Sequence, residues 1–539
     1  MTKFACTIPE RRSRRGRLTT LSCDVYNLIV DEFQYQPEET SIWVYKSTLA
    51  SWALVCRFFH HLATPKLFEV FTFEKEQGDK DDPQLEQWIM ELNRGNDVAH
   101  ALAPKVKHLT FMNWKEEYMA QKFKFSQRRL ASLTSALRYF TNTVNITLLN
   151  SPIDVRLFTA IATLPNLQTL CIRNCEFQEL RKPVVLPADG IPGLKALEVL
   201  EVDYAEEYIP AIISMAATPS LRSLVTTEWK IAKGIMEQDV NIPLEKLEVP
   251  LQPRGVAIVS TFLDRTPSIH DLSLVDILQD NRTPEGHEEI RRITLKLKQS
   301  SLPRLKKLKC PTHLFPSLWR SRPISTLSLM EPRDWIPLST RMRKEEGQPP
   351  SYPFEDLARD STLHELEIPL ELYALYPLAE FFPPLDRLSI CFPVHVSPKN
   401  PNGFQIVCGL RKPKMTVRYL QLYFFGLYEA GYAFDLVQQH SIIVTYLAKE
   451  FPTATCISMV ESLEWHRSEH GDKWTPIMRQ CEYFRRLLVV CQELWKSNMS
   501  AVRDFDGLLT ETFQDDPEAN AMLQAMLGKD CLPVTLFSH

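Results

Sequence analysis

One segment shows the repeating pattern of this chain most clearly: Leu164-Pro165-Asn166-Leu167-Gln168-Thr169-Leu170-Cys171-Ile172-Arg173-Asn174-Cys175. Its apolar residues recur every two or three positions. The last closely spaced pair, Leu170 and Ile172, has the two-residue period of a β-strand with one buried face. The stretch therefore predicts a short strand whose Leu170 and Ile172 side chains point into a core.

Similar phrases recur at irregular intervals of roughly 20 to 40 residues. They begin at Val106, Leu197, Leu221, Leu244, Ile269, Leu305, Ile324, Leu363, Leu385 and Val417, with weaker strands at 144–148 and 456–460. Helix-compatible stretches lie between them, such as 208–217 and 256–264, which end at Thr-Pro pairs. Such units stack because none buries its apolar face alone. The pattern resembles leucine-rich repeats and predicts an α/β solenoid over residues 105–470, with parallel strands and helices on the convex side.

Alternation along these strands predicts which side chains face the core. The inward pairs are Leu170 with Ile172, Leu200 with Val202, and Leu247 with Val249. The alternating residues then face the concave side: Glu201, Asp203, Lys246, Glu248, Lys307, Lys309, Glu365, Glu367, Tyr419, Gln421 and Tyr423. Their mixed charge and aromatic pair favour a protein partner. The candidates for substrate binding are Glu201, Glu248, Lys307, Lys309, Glu367, Tyr419 and Tyr423.

Two apolar blocks lie near the start of the chain. The first runs Leu21-Ser22-Cys23-Asp24-Val25-Tyr26-Asn27-Leu28-Ile29-Val30-Asp31-Glu32-Phe33. It predicts a helix with Val25, Ile29 and Phe33 along one side and Ser22 as the N-cap. The second covers residues 49–68 and contains Leu54-Val55-Cys56-Arg57-Phe58-Phe59. It is too apolar all round for a lone surface helix.

These blocks resemble the F-box family, especially fungal-type F-box proteins with divergent leucine-rich repeats. Leu21, Asp24 and Val25 match the family's opening Leu-Pro-x-Glu-Leu helix. The family's Leu-x-Leu-Val-Cys-Arg-x-Trp block is matched by Leu54, Val55, Cys56, Arg57 and Phe59, with Leu62, Pro65 and Phe68 following. Ser22 replaces the usual proline, Phe59 replaces the usual tryptophan, and residues 34–48 look like an insertion between the helices.

The resemblance implies a three-helix module over residues 18–71 that binds a Skp-type linker protein and so joins a cullin-based (SCF) ubiquitin ligase. The repeats would hold a protein substrate, and ubiquitin transfer would belong to other subunits. The residues implied to bind the linker are Leu21, Ser22, Val25, Ile29, Leu54, Val55, Cys56 and Leu62. Two alternatives remain. Residues 18–70 could simply cap the solenoid, or the protein could be a leucine-rich-repeat scaffold without a ligase role.

Composition fits a folded protein with a sizeable core. Hydrophobic residues make up 44% and charged residues 24% of the 539 residues, and the net charge is −4. Neither nucleic acid nor a membrane is therefore an expected partner. The sequence contains no signal-peptide core and no apolar run of about 18 residues. We expect a cytoplasmic and/or nuclear protein with reduced cysteines.

Residues 1–17 carry six basic residues and one acidic residue, a net charge of +5. Without an apolar face to bury, they predict a disordered arm. The alternative is a nuclear-targeting or phosphate-contacting patch.

Four other segments lie before, within or after the repeats. Residues 72–104 predict a charged linker, and residues 330–358 and 392–416 predict long loops, the first of them either functional or disordered. A helical period begins behind Thr475-Pro476, with apolar residues at Ile477, Cys481, Phe484, Leu488, Cys491 and Trp495. This period predicts a helix that caps the end of the solenoid, and the whole of residues 471–539 is then a helical cap with a tail. The alternative is that the helix binds a partner.

Sequence signatures of catalysis are missing. The chain has no glycine-rich phosphate loop, no dinucleotide-binding fingerprint and no nucleophile elbow. His466, His470 and Cys481 have a possible ligand spacing, but no Cys-x-x-Cys pair accompanies them. Ordinary surface or core roles are favoured for these histidines. We therefore expect a non-catalytic protein with no metal and no cofactor.

Overall fold

The computed structural model describes residues 12–13, 16–17, 23–32, 42–74, 83–114, 130–178, 190–203, 206–238, 241–276, 294–330, 362–375, 378–382, 384–392, 415–424, 436–460, 463–468 and 473–478. The chain divides into two compact units of the α/β class. Unit 1 comprises Met1–Ile277 with Lys296–Leu302, and unit 2 comprises Leu278–Leu295 with Pro303–His539. Within the described ranges, no helix has both the length and the apolar character needed to cross a membrane.

The basic arm contains a short hairpin. Strands β1 (Arg12–Ser13) and β2 (Gly16–Arg17) pair antiparallel, with Arg12 opposite Arg17. A two-residue connection is the commonest hairpin link, and backbone pairing across it needs no apolar face. These four residues are thus paired, and the disorder expected for the rest of residues 1–17 stays a prediction. Residues 1–11 lie outside the described residues.

Three helices follow in unit 1, and we call them the helical module: α1 (Cys23–Glu32), α2 (Ile42–Val55) and α3 (Arg57–Leu67). Tyr45, Leu49 and Ala63 form the buried centre between α2 and α3. Tyr26 of α1 lies edge-on to the rings of Phe58 and Phe59, at 5.4 and 5.6 Å between centroids. The insertion expected over residues 34–48 is partly helix, because α2 begins at residue 42.

The segment predicted as a linker, residues 72–104, is largely regular structure. It contains the end of β3 (Val70–Glu74), α4 (Pro83–Arg94), α5 (Asp97–Leu102) and a 3₁₀ turn (Ala103–Lys105). Asn96 caps α5 by accepting hydrogen bonds from the Val98 and Ala99 amides at 2.9 and 3.1 Å. The charged residues that suggested a linker belong partly to helices that also bury apolar residues. The domain boundary expected at residue 71 falls inside β3.

A parallel sheet forms the centre of unit 1. Its strands follow the chain in the order β3, β4 (His108–Met112), β5 (Asn145–Leu149), β7 (Thr169–Arg173), β9 (Ala196–Leu200), β10 (Ser223–Thr226), β11 (Lys246–Leu251) and β12 (Asp271–Asp276). Leu170 and Ile172 are buried, as are Leu247 and Val249. The inward alternation predicted for these strands is confirmed. We call this side of the sheet the core face.

Strand β9 differs from the prediction by one frame. Leu197 and Val199 are buried, whereas Leu200 and Val202 are only half-buried. Leu197 pairs in register with Leu170, and Val199 pairs with Ile172. The alternation of a strand fits this segment in two ways, with either Leu197 and Val199 or Leu200 and Val202 pointing inward. Pairing with β7 selects the first of these. The predicted inward pair Leu200 and Val202 is therefore wrong.

Left-handed residues end four successive strands of this sheet. Asn113, Asn150, Asn174 and Glu201 have φ angles of 62°, 49°, 50° and 51°. Asparagine tolerates this conformation better than most residues because its short polar side chain bonds locally. Asn150 Nδ2 donates to Asn113 Oδ1 at 3.3 Å, and Asn174 donates to Asn150 in the same way. The three asparagines thus form a ladder along the strand ends.

Helices connect several of these strands: α6 (Val155–Ala162), α7 (Ile209–Ala216), α8 (Trp229–Met236) and α9 (Val256–Arg265). α7 and α9 end just before the predicted Thr-Pro pairs, where the proline ring prevents further helical turns. Asp154 caps α6 by accepting from the Leu157 amide at 2.8 Å. Their apolar sides are buried, as with Phe158 and Ile161 of α6. Two two-residue strands, β6 (Pro152–Ile153) and β8 (Glu176–Phe177), pair beside the main sheet.

Unit 2 has a second run of parallel strands in chain order: β13 (Lys307–Pro311), β14 (Thr326–Met330), β15 (Glu365–Pro369), β16 (Leu385–Phe392), β17 (Val417–Phe424) and β18 (Cys456–Val460). The core-face positions are buried again, for example Leu366 and Ile368. The helices are α10 (Phe315–Trp319), α11 (Leu370–Leu375), α12 (Leu378–Phe381), α13 (Leu436–Ile442), a π-helical turn (Ile443–Leu447) and α14 (Ala448–Glu450).

The described part of unit 2 ends in an antiparallel extension. β19 (Leu463–Arg467) pairs with β18, and β20 (Trp474–Met478) pairs with β19. The helix expected to begin at Thr475-Pro476 is therefore a strand at its start. Pro476 is tolerated because β20 has a neighbour on one side only among the described strands. The rest of that expected helix, from residue 479 onward, lies outside the described residues, as do 331–358 and 393–414 of the two expected loops.

Candidate partner-binding surfaces

The helical module exposes large apolar side chains. Leu54 is 86% exposed and Val55 is 67% exposed at the end of α2, and Leu28 and Ile29 are exposed on α1. Together they account for half of the exposed large hydrophobic residues described; the others are Met90, Val98, Val155 and Val444. Adjacent apolar residues this exposed favour a binding role, since isolated ones need no explanation.

Local structure explains why Leu54 and Val55 reach solvent. α2 packs on α3 through Tyr45 and Leu49, with Trp52 and Ala53 against the same cluster. The exposed Leu54 and Val55 follow this packed segment and are not part of it. Cys56 then adopts extended backbone, with φ −165° and ψ 168°, and α3 begins at Arg57. The bend between the two helices leaves the end of α2 without a covering neighbour among the described residues.

The other residues implied to bind a linker are less accessible. Val25, Cys56 and Leu62 are half-buried. Leu21 and Ser22 lie outside the described residues. The exposed apolar residues of the implied set are therefore Ile29 on α1 and Leu54 and Val55 at the end of α2, with Leu28 on α1 in addition. Leu28 lies three residues after Val25 on α1. It was not among the residues predicted for the apolar side of this helix, which were Val25, Ile29 and Phe33.

The side of each sheet opposite the core face, which we call the outer face, carries aligned residues that are mostly polar. In unit 1 the central row is Thr72, Thr110, Thr147, Cys171, Glu198, Val225, Glu248 and Ser273. In unit 2 the central row is Lys309, Ser328, Glu367, Ser389, Gln421 and Ser458. Side chains two residues apart on each strand share this face.

Most predicted outer-face residues lie where alternation placed them. Glu248 and Glu367 are half-buried in the central rows, and Lys309 is exposed. Lys307 and Glu365 are exposed one row earlier, and Lys246 is half-buried. The predicted register is confirmed for β11, β13 and β15, because Leu247, Leu308 and Leu366 point to the core.

Glu201 and Asp203 are corrections to that set. Glu201 is exposed but lies after the end of β9 in left-handed backbone, and Asp203 lies in an isolated bridge with Glu176. Glu198 occupies the outer-face row in their place. It forms an ion pair with Arg173 of the neighbouring strand. The sequence reasoning missed Glu198 because its frame for β9 was displaced.

The aromatic end of the outer face is more enclosed than predicted. Gln421 is buried, and Tyr419 and Tyr423 are half-buried. Arg387 donates to the Gln421 side-chain oxygen and lies over the Tyr419 ring, 4.9 Å from its centroid. The pKa of Tyr419 is raised by burial and by its hydrogen bond to Glu464. The expectation that Gln421 is open to a partner is wrong, because its neighbours enclose it.

One group of metal-ligating side chains stands out among the residues that the structure describes. Cys456, Glu464 and His466 bring a thiol, a carboxylate and an imidazole together on β18 and β19. In the sequence, His466 has a ligand-type spacing only with His470 and Cys481, which lie outside the described residues. His466 lies opposite Cys456 because β19 runs antiparallel to β18. The sequence alone does not show this change of strand direction.

The architecture defines an α/β protein whose parallel strands follow chain order within each unit, preceded by a helical module with exposed apolar residues. No protein-family model matches the sequence, and no curated protein matches it either.

Proposed function

We propose that this chain is the substrate-recruiting F-box subunit of a cullin-type ubiquitin ligase. The helical module binds a Skp-type linker protein, and leucine-rich repeats in the two units hold a protein substrate. The chain itself carries out no catalysis in this proposal, and it acts in the cytoplasm, the nucleus or both.

The observation that carries the proposal is the exposure of Leu54 and Val55 immediately before Cys56 and Arg57. These four residues are the segment that resembles the F-box block. Exposed apolar side chains at a helix end contribute to binding when a partner buries them, at about 1.5–3 kcal/mol for a fully buried leucine or valine. A few such anchors usually dominate an interface.

The outer face supports the second half of the proposal. Lys307 and Lys309 are exposed on β13, and on β15, one strand beyond β14, Glu365 is exposed and Glu367 is half-buried. A surface with both signs of charge suits a protein that presents complementary charges, since such charges mainly give specificity and steer association.

A purified binding assay tests the linker half. Val55→Glu places an unpaired carboxylate against the apolar surface of the partner, which costs several kcal/mol. Binding to a Skp-type protein should therefore fall by about a hundredfold or more, at about 1.4 kcal/mol per tenfold. The matched control is Val98→Glu, because Val98 is 69% exposed on α5, outside the helical module.

The folded state should tolerate both variants, since each carboxylate remains in water in the free chain. Binding of the wild-type chain and the Val98→Glu variant with loss in Val55→Glu supports the proposal. Absence of any association by the wild-type chain leaves the alternative of a repeat scaffold with no ligase role. Equal binding by all three proteins would show that another surface carries the interaction.

A further inference from the structure

The hairpin formed by β18 and β19 brings three ligand-type side chains to one face. Cys456 and His466 are directly opposite each other across the antiparallel pair. Glu464 lies two residues before His466 on β19 and therefore points to the same side of the strand. Directly opposite residues in antiparallel strands have Cβ atoms about 4.5–5.5 Å apart, close enough for their side-chain ends to meet.

The three ligand atoms form a compact triangle. Cys456 Sγ lies 3.6 Å from Glu464 Oε2 and 3.6 Å from His466 Nε2, and the nitrogen and oxygen are 3.0 Å apart. Zinc bonds of about 2.3 Å to sulfur and about 2.0–2.2 Å to nitrogen and oxygen place tetrahedral ligands about 3.3–3.6 Å apart. An ion about 2.1 Å from all three atoms would lie about 0.7 Å above their plane, as in a tetrahedral site.

We propose that Cys456, Glu464 and His466 bind a divalent transition-metal ion of the zinc type. Thiolate and imidazole are ligands of zinc and related metals, whereas magnesium and calcium prefer oxygen atoms alone. The three side chains supply three of four tetrahedral positions. Solvent reaches the site through His466, whose side chain is 37% exposed, so water completes the coordination.

Charge and burial support the same assignment. The Glu464 side chain is 3% exposed, and Cys456 is buried beside it. A carboxylate this buried needs compensation for the loss of water. Binding of the dication releases the Cys456 thiol proton to solvent and leaves a thiolate, a carboxylate and a doubly charged cation. The group of charges is then neutral, with His466 binding as the uncharged imidazole.

Tyr419 orients the carboxylate from the neighbouring strand. Tyr419 is in register with Cys456, and its hydroxyl donates to Glu464 Oε1 at 2.8 Å. Oε2, the other carboxylate oxygen, is the one that faces the thiol and the imidazole. Hydrogen bonds of this kind fix the ligands of metal sites, and their loss typically weakens metal affinity by about 10- to 100-fold. Tyr419 is thus a positioning residue of the site.

Metal titration of the full-length chain tests the assignment. The protein is freed of metal with a chelator, and Zn²⁺ is added in competition with a chromogenic chelator. Cys456→Ser and His466→Gln should each bind one tight equivalent fewer than the wild-type chain. Cobalt(II) should give a thiolate charge-transfer absorption in the wild-type chain that Cys456→Ser lacks. Tyr419→Phe should keep the stoichiometry and weaken affinity about tenfold or more.

Two variants serve as matched controls. Cys391→Ser removes another thiol of unit 2, which lies 3.4 Å from Glu367, and His364→Gln removes an exposed histidine beside Asp386. Both should bind zinc as the wild-type chain does. Circular dichroism of each variant identifies a folding defect. If Cys456→Ser misfolds, His466→Gln carries the test, because its side chain is partly in solvent.

A simple ion pair between His466 and Glu464 gives a different result. In that case the wild-type chain, Cys456→Ser and His466→Gln bind the same number of zinc ions, and the cobalt spectrum is unchanged by Cys456→Ser. That outcome overturns the proposal. The test is independent of the linker-binding proposal, since β18 and β19 lie in unit 2 and the helical module lies in unit 1.

Discussion

Burial of Tyr208 should make the free energy of unfolding of unit 1 fall at alkaline pH. Its ring is fully buried and packs against Phe158 and Phe177, at 5.7 and 4.6 Å between centroids. Its hydroxyl donates to the Gln178 carbonyl at 3.0 Å. Burial raises the pKa of Tyr208 from 10.0 to about 12, with smaller contributions from nearby Asp154 and Glu207. The folded state therefore holds the phenol proton more tightly than the unfolded chain does.

The sign of the pH effect follows from this difference in pKa. A raised pKa in the folded state contributes stability that is complete below the unfolded-state pKa, and this stability is lost as pH rises from 10 to 12. A difference of two units corresponds to about 2.7 kcal/mol. Tyr208→Phe removes the ionisable group and one hydrogen bond, so at neutral pH it should lower the free energy of unfolding by about 1 kcal/mol.

Above pH 10 the wild-type chain loses stability that the Tyr208→Phe variant retains. The two free energies of unfolding should therefore cross near pH 11, and the variant should be the more stable protein at pH 12. Urea unfolding of both proteins at closely spaced pH values measures the difference between their free energies of unfolding. The contributions of all other titrating groups are the same in both proteins and cancel. A constant difference from pH 7 to pH 12 would refute the assignment of a raised pKa to Tyr208.

The remaining predictions concern the backbone. Gly190 has φ +63°, and a Cβ there would lie 2.6 Å from the Ser214 carbonyl oxygen, so Gly190→Ala should lower the free energy of unfolding by about 2–4 kcal/mol. Gly95→Ala is the matched control, since Gly95 also has positive φ but nothing lies within 4 Å of the added Cβ, and it should lose only about 1 kcal/mol. Glu201→Asn should instead raise the free energy of unfolding by about 0.5–1 kcal/mol, because asparagine suits the left-handed conformation. Thermal melting in parallel measures all three, and a lower melting temperature for Glu201→Asn contradicts the last.

Period-two alternation was sufficient to predict most strands of both units. The apolar pairs of β7, β11 and β15 each fit one frame, and each lies in the core. At β9 the sequence around Leu197 and Leu200 fits two frames. Only pairing with β7 distinguishes them, and such pairing is not local information. The first strand of the main sheet, β3, was not predicted although Phe71 and Phe73 carry the same alternation, because neighbouring charges suggested a linker.

The candidate site could be predicted only in part. Exposure of Leu54 and Val55 agrees with a binding role, but their accessibility depends on where α2 ends and α3 begins. The enclosure of Gln421 depends on Arg387 from a strand 34 residues earlier. The group of Cys456, Glu464 and His466 depends on an antiparallel return that follows a run of parallel strands. Sequence spacing alone contains none of these relations.

The chain order of the strands in unit 1 has a consequence for how this unit is made. Each described strand of its main sheet pairs with the preceding strand of that sheet, and paired residues are 23 to 38 positions apart. The entropic cost of closing a loop grows slowly with its length, by about 0.6 kcal/mol per doubling, and sheets with nearby partners fold faster than sheets that join distant segments. A nascent chain can thus complete one ladder of hydrogen bonds before the next strand is synthesised, and the sheet grows in the direction of translation.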